Sequence, residues 1–147
     1  MIDVKLTRLR ENGLPLPSYE SDGAAGADIR ADLSGGSLTI KPNARELVPT
    51  GLAMEIPAGF EVQLRPRSGL ALKHGVTMVN APGTIDSDYR GEIGVILINM
   101  GNTDYFLQHG ERIAQMVLAP VTRGNWVVTT KLSKTERGRS GFGSTGN

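Results

Sequence analysis

Several short stretches of this chain bring together residue types that handle phosphate. In RPRSGLALKHG, residues 65–75, a strand-like run feeds Pro66, then Arg67, then Ser68 at the start of a short helical pattern. The first N–H groups of a helix lack internal partners and carry partial positive charge. A guanidinium, a hydroxyl and Gly69 beside them make a cradle for phosphate oxygens. The same residues also read as an ordinary capped turn, with Ser68 as N-cap, Gly75 as the left-handed end and Arg67 in solvent.

In NAPGTIDSDYRGEIGVILIN, residues 80–99, the chain turns at Pro82 and Gly83, passes Asp86 and Asp88, and returns on a strand. This reads as a long hairpin with polar groups at its tip. A carboxylate on a stiff hairpin can hold a water molecule for in-line attack on phosphorus. Asn80 offers both donor and acceptor, which suits a pyrimidine edge. Tyr89 can lay its ring on a sugar. Gly94 has no side chain to keep a planar ligand off the backbone. An acidic turn with a capping Asp and a core Tyr fits the same letters.

GADIRAD, residues 26–32, puts Asp28, Arg30 and Asp32 opposite Ala27 and Ile29. That is either a solvated strand face or a carboxylate ordering water around Mg²⁺, an ion that keeps several waters and leans on substrate phosphates. In ERIAQMVLAPV, residues 111–121, Arg112 and Gln115 interrupt an apolar strand. Gln115 faces either a ligand or a neighbouring backbone. The last stretch, RGRSGFGSTGN, residues 137–147, holds four glycines, two arginines, one phenylalanine and two serines with a threonine. Ordering so much glycine is entropically costly, so this segment is expected to order only over a ligand, or else to be a frayed end.

The elements that must position these groups are short strands. Ile2, Val4 and Leu6 alternate with polar residues, as do Ala27, Ile29, Ala31 and Leu33, and Phe60, Val62 and Leu64. These read as strands with one wet face. SLTI, ELVP, LAMEI, VTMVN, DYFL, RIAQMVLAPV and NWVVTTKL read as further strands, and IGVILIN as a strand buried on both faces. Turn clusters such as SGG, PNA, PAG and GNT separate them. The pattern predicts an all-β subunit, a distorted jelly roll or β-sandwich with one short helix. Residues 1–136 form a single domain and 137–147 an appended arm. Sheet edges in so small a domain favour oligomerisation.

Composition narrows the function classes. The 16 basic and 15 acidic residues leave no field for binding nucleic acid or a membrane by bulk charge. With 0 Cys, disulfides and thiolate metal sites are excluded, and the 2 His, His74 and His109, lie too far apart in sequence to suggest a zinc site. The first residues lack the apolar run of a signal peptide, and no stretch approaches a membrane span, so a cytoplasmic protein is expected.

The ordered set AGADIRA, PRSGLA, GTIDSDYRGE, RIAQ and RGRSGFGSTG resembles the five motifs of the trimeric deoxyuridine triphosphatases (dUTPases), from about Ala25 to Gly146. The resemblance implies a homotrimer whose active sites draw on more than one subunit. It implies Mg²⁺-dependent hydrolysis of dUTP to dUMP and pyrophosphate, which keeps uracil out of DNA and supplies dUMP for thymidylate. It implies that Asp86 is the general base and that Asp28 orders the water shell of Mg²⁺, the metal being held mainly by substrate phosphates. Arg67, Ser68, Gly69 and Gln115 would hold phosphates. Asn80, the backbone at Thr84 and Ile85, and Gly94 would read uracil, and Tyr89 would pack on deoxyribose where a 2′-hydroxyl collides. Arg137, Gly143, Ser144 and Thr145 would close on the substrate while Phe142 covers the uracil ring. The chain departs from the family at Ala27, often larger, and at Ser140, usually glycine, which would be strained if the closed arm needs a positive φ there.

Other readings remain at this level. A dCTP deaminase on the same fold would need a catalytic glutamate and another hairpin signature. A nucleotide-sensing β-sandwich would have no need of a positioned base. A capsid-like jelly roll would bind no nucleotide.

Overall fold

The computed structural model describes residues 1–141, so Phe142, Gly143, Ser144 and Thr145 lie outside the described residues. Eleven strands and one helix are found there: β1 (Lys5–Arg8), β2 (Ala27–Arg30), β3 (Ser37–Ile40), β4 (Arg45–Pro49), β5 (Leu52–Glu55), β6 (Phe60–Arg65), α1 (Ser68–His74), β7 (Val76–Met78), β8 (Gly83–Ile85), β9 (Gly94–Asn99), β10 (Tyr105–Gln108) and β11 (Arg112–Pro120). They pair as a four-stranded sheet β2-β11-β6-β8, a three-stranded sheet β4-β9-β7, and the ribbons β1-β5 and β10-β3. This is the expected all-β jelly-roll-like subunit with a short helix. No helix among the described residues is long and apolar enough to cross a membrane.

The sheets share one core. Ile29, Ile40, Val48, Met54, Val62, Leu64, Val76, Leu97, Leu107 and Ile113, from every sheet and ribbon, pack into it. The period-two pattern of β6 works as read, with Val62 and Leu64 buried between less buried neighbours. In β9, Val95, Leu97 and Asn99 are buried while Gly94, Ile96 and Ile98 are half-buried, so neither face is open but only one is sealed. Leu97 is 1% exposed, and truncating such a side chain to Ala costs about 2–5 kcal/mol. Asn99 ends β9 without an orphaned group. Its Nδ2 donates to the Ile40 and Thr103 carbonyls at 2.8 Å each, and its Oδ1 accepts from Gly101 N–H at 2.9 Å.

Three expectations are corrected. The charged face of β2 is not wet: Asp28 is 4% and Asp32 2% exposed. Arginines from distant segments of the chain pair with them, which alternation alone does not encode. The N-cap of α1 is Arg67, with extended φ −93° and ψ 126° and no side-chain cap, so Ser68 is the first helical residue. The extended backbone is the ordinary conformation of a residue that precedes a helix, and the Arg67 side chain is engaged by Asp28 on β2. NWVVTTKL forms no strand: it has no strand partner among the described residues, and Trp126, Val127, Val128 and Leu132 stand exposed. By contrast Gly75 is left-handed, φ 68°, as expected, and its N–H closes the helix on Ala71 and Leu70 carbonyls. A Cβ there would also meet the Gly101 amide at 2.7 Å.

The long hairpin is more elaborate than its sequence suggests. Its arms pair, Val76 with Asn99 and Met78 with Leu97. The intervening loop leaves this sheet and lays β8 against β6 in the other, Gly83 opposite Leu64 and Ile85 opposite Val62. The tip is thereby fixed to both sheets.

Candidate active site

The sequence motifs fall into two groups. The first lies where β2, β11 and β6 run side by side. Gln115 of β11 is in register with Asp28 on one side and Arg65 on the other. The strand pair can close at this point because Gly26 carries no side chain: a Cβ would stand 3.0 Å from the Gln115 Cβ. Just past β6, Arg67 donates from Nε to Asp28 Oδ1 at 3.2 Å and from Nη2 to Oδ2 at 3.4 Å. Its Nη1 reaches the Arg112 carbonyl at 3.4 Å. Ser68 and Gly69 follow, both exposed, on the first turn of α1.

Arg112 is the residue that sequence reasoning noticed without giving it work. Its Nη1 donates to Asp28 Oδ2 at 3.0 Å and lies 3.3 Å from Glu20 Oε2. Asp28 therefore carries two guanidinium groups. Charge-assisted hydrogen bonds from two sides fix the position of this buried carboxylate. The signal was the arginine itself, a charge placed in an otherwise apolar strand.

Behind the helix, Tyr105 donates to Glu111 Oε2 at 2.8 Å and its ring lies 5.2 Å from that of His74. Burial, then the hydrogen bond to Glu111, raises the Tyr105 phenol above its ordinary range, so it remains a donor and a firm backing for α1.

The second group is the β7–β9 loop. Val79 N–H donates to the Ile96 carbonyl, continuing the ladder and setting Asn80 across from the Gly94–Val95 stretch. A Cβ on Gly83 would come within 3.1 Å of Asn80 Nδ2, so that glycine leaves the amide its place. Asp86 begins a turn closed by Tyr89 N–H on the Asp86 carbonyl at 3.1 Å. Arg90 braces the turn through Nη1 to the Ser87 and Tyr89 carbonyls at 2.7 and 2.9 Å. Asp86 is exposed, as a residue that meets a ligand from solvent must be. Tyr89 donates to the Glu92 carbonyl at 3.0 Å. Gly94 faces Leu47, whose Cδ1 would lie 2.6 Å from an added Cβ. In this chain its open side thus looks onto a leucine methyl.

The structure brings the members of each group together and holds the two groups apart. Ile85 lies opposite Val62, so Asp86 continues toward the Glu61 end of β6, whereas Arg67 follows the Arg65 end. Five to six residues of extended chain separate them, about 17–20 Å at about 3.3 Å per residue. One substrate phosphate cannot touch both within one chain. Among the described residues, Arg137 makes no hydrogen bond or ion pair with either group. Its Nε donates to the Ser140 carbonyl at 3.0 Å. Ser140 is not among the positive-φ residues described, while Gly138 is left-handed at φ 53°.

No group of three or more His, Cys, Asp or Glu side chains able to hold a metal ion is present among the described residues. The donor set does not suit direct caging of a metal. It does fit a magnesium ion carried by phosphates: Asp28 is buried, and its Oδ1 takes one of its hydrogen bonds from Arg67, leaving acceptor capacity for a metal-bound water.

A family model described as dUTPase matches residues 12–146. A protein of Roseobacter denitrificans named deoxyuridine 5′-triphosphate nucleotidohydrolase is 60% identical over 136 residues, 92% of this chain and 90% of its own length. One of the same name from Anaeromyxobacter is 56% identical over 147 residues, 99% of this chain and 98% of its own. Among solved structures, the Staphylococcus bacteriophage 80alpha dUTPase with dUPNHPP superposes with a TM-score of 0.88 at 25% identity, covering 99% of both chains. A mutant dUTPase of phage phi11 of S. aureus, described with a structural Mg(II) ion, superposes with a TM-score of 0.79 at 20% identity, covering 90% of this chain and 99% of its own.

Proposed function

The chain belongs to the dUTPase family and is a hydrolase of dUTP, and we propose that it cleaves dUTP to dUMP and pyrophosphate in active sites shared between the subunits of a homotrimer. The observation that carries this reading is the placement of Asp86 and Arg67 at opposite ends of β6. A water activated by Asp86 and a phosphate held by Arg67 meet only if the loop of one subunit faces the β2–β11–β6 corner of another. Exposed Trp126, Val127, Val128 and Leu132, in a segment without a strand partner among the described residues, support an assembly that covers them. A cytoplasmic location suits such an enzyme.

In this reading Asp86 orients water in line with the α-phosphorus and takes its proton. The new bond forms from water oxygen to phosphorus as the bond to the bridging oxygen breaks, and pyrophosphate departs. Arg67, the Ser68 hydroxyl and the amides at Ser68 and Gly69 bind phosphate oxygens, with Gln115 at the same end. Phosphoryl transfer needs positioning and charge neutralisation more than covalent help. When bound, Mg²⁺ supplies charge neutralisation to the triphosphate, with Asp28 ordering its water shell. Asn80 and the backbone at Thr84 and Ile85, with Gly94 on the facing arm, read uracil, and Tyr89 covers deoxyribose. Residues 137–147, including Arg137, Phe142, Gly143, Ser144 and Thr145, close over the nucleotide. The glycine content supports an arm that orders only on its ligand.

The test is complementation between subunits. Asp86→Asn and Arg67→Ala homotrimers should each release little pyrophosphate from dUTP. Denatured and refolded together, they should recover activity, because some mixed trimers hold a site with both native residues. No recovery, with mixed trimers verified by mass, would refute shared sites. Assays of dCTP, dTTP and UTP, with and without Mg²⁺, test the substrate and metal.

A further inference from the structure

Outside the residues already given roles, a dense polar network lies at the foot of the β7–β9 loop. Arg10, in the segment after β1, grips Glu92 with both guanidinium nitrogens: Nη2 to Oε1 at 2.7 Å and Nη1 to Oε2 at 3.1 Å. Its third nitrogen, Nε, lies 2.6 Å from Asp32 Oδ2. Asp32 has a fully buried side chain and also accepts from Asn12 Nδ2 at 2.9 Å and Ser34 N–H at 3.2 Å. Glu92 Oε1 accepts in addition from Gly51 N–H at 2.8 Å. A bidentate guanidinium fixes both position and plane of a carboxylate, which a lysine cannot do.

This fork is tied to the loop through one residue. The main-chain carbonyl of Glu92 accepts the hydroxyl of Tyr89 at 3.0 Å. Tyr89 is 44% exposed, so packing alone does not determine its rotamer. The two features that fix the ring are this hydrogen bond and the bare face of Gly91 beneath it. Locking the Glu92 side chain against Arg10 and the Gly51 amide locks its carbonyl, and the carbonyl aims the phenol.

We propose that Arg10 is a positioning residue for sugar selectivity, holding Tyr89 through Glu92 in the orientation that excludes a 2′-hydroxyl. The proposal rests on the reading of Tyr89 as the residue that covers deoxyribose. It assigns a specificity function to a side chain remote in sequence from all the motifs. A salt bridge of purely structural value would stabilise the fold without touching substrate preference.

The experiment compares kcat/KM for dUTP and UTP, alongside thermal stability, in Arg10→Met, Arg10→Lys, Glu92→Gln and Tyr89→Ala proteins. Arg10→Met is expected to lower the dUTP preference about tenfold, within the range that loss of close packing costs. KM for dUTP should rise by more than kcat falls. Arg10→Lys, which keeps the charge and loses the fork, should recover only part. Arg10→Met on a Tyr89→Ala background should change the preference little, because both remove the same arrangement. If Arg10→Met does not fold, Arg10→Lys and Glu92→Gln carry the test with the same expectation. An unchanged dUTP/UTP ratio in the Arg10 and Glu92 variants, with Tyr89→Ala altering it, overturns the role of Arg10 alone. An unchanged ratio in Tyr89→Ala overturns the sugar-stacking reading and this inference with it.

Discussion

The hydroxyl of Tyr89 lies over the backbone of Gly91, in the space that any side chain at residue 91 would need. The glycine is therefore a steric requirement of the tyrosine rotamer. Gly91→Ala is expected to push the ring aside and break its bond to the Glu92 carbonyl. Loss of one methyl-sized fit is worth about 1–3 kcal/mol in discrimination. Steady-state kinetics should show poorer rejection of UTP, with folding intact by circular dichroism. A variant as selective as the parent would mean that the observed rotamer is irrelevant to recognition.

Asp86 stands exposed at the start of a braced turn. Asp86→Asn preserves the shape and removes the proton acceptor. Turnover of dUTP should drop by about 10²–10⁴, the span of general-base effects, while affinity for a non-hydrolysable analogue stays close to that of the parent. Single-turnover kinetics with calorimetric binding would separate the two. Ordinary turnover would exclude Asp86 as the base.

Asp28 answers to two arginines, with its own side chain 3% exposed. Asp28→Ala would leave both guanidinium groups facing an apolar gap. Breaking a fully buried pair costs about 3–5 kcal/mol. Here the arginines retain 25% and 37% side-chain exposure and can rotate to water, so a loss nearer about 2 kcal/mol is expected. Urea denaturation measures it, and an unaltered midpoint would show that the pairs contribute nothing net.

The foot of the loop predicts an acid limit. The hydrogen bond from Arg10 first, and the Gly51 amide after it, hold the Glu92 carboxyl below its usual value against the opposing effect of burial. Burial pushes Asp32 up, but Asn12, the Ser34 amide and Arg10 together outweigh it and leave it lowered. Depressed carboxyls stabilise the fold fully above their unfolded values, about 4.3 for Glu and 3.9 for Asp. That contribution is lost as pH falls through the folded values, because the unfolded chain then binds more protons. The urea midpoint should therefore decline on acidification below about pH 4.5, and Glu92→Gln should flatten part of the slope. Equal slopes in parent and variant would disconnect Glu92 from the acid response.

Trp126, the one tryptophan of the sequence, is 93% exposed on the single chain. Contiguous bare apolar side chains of this kind mark contact surfaces. In the assembled protein its emission is expected to be blue-shifted relative to free indole, moving to the red on dissociation. The two events should follow one concentration dependence, read by fluorescence and by light scattering. A solvent-like spectrum in the intact assembly would place this segment outside the interface.

Much of this molecule is written locally in its letters. The inward set of β6, Val62 and Leu64, follows from alternation, and the end of α1 at Gly75 follows from the conformational freedom of glycine. The groups proposed to handle phosphate, base and sugar, Arg67, Asn80, Asp86 and Tyr89, were visible as types suited to that chemistry, and the order of their motifs pointed to the family. What the letters did not contain was partnership. Asp28 and Asp32 look like a wet face because burial of a charge depends on cations far along the chain, Arg67 and Arg112 for one, Arg10 for the other. NWVVTTKL has the pattern of a strand, but a strand needs a neighbour to take its hydrogen bonds, and the described residues offer none. The loop from Asn80 reads as a simple hairpin until β8 crosses to β6, and that crossing alone sets Asp86 and Arg67 at opposite ends of one strand. Local pattern fixes backbone preference and amphipathic sense, whereas pairing, charge compensation and the distance between active groups arise only when remote segments meet.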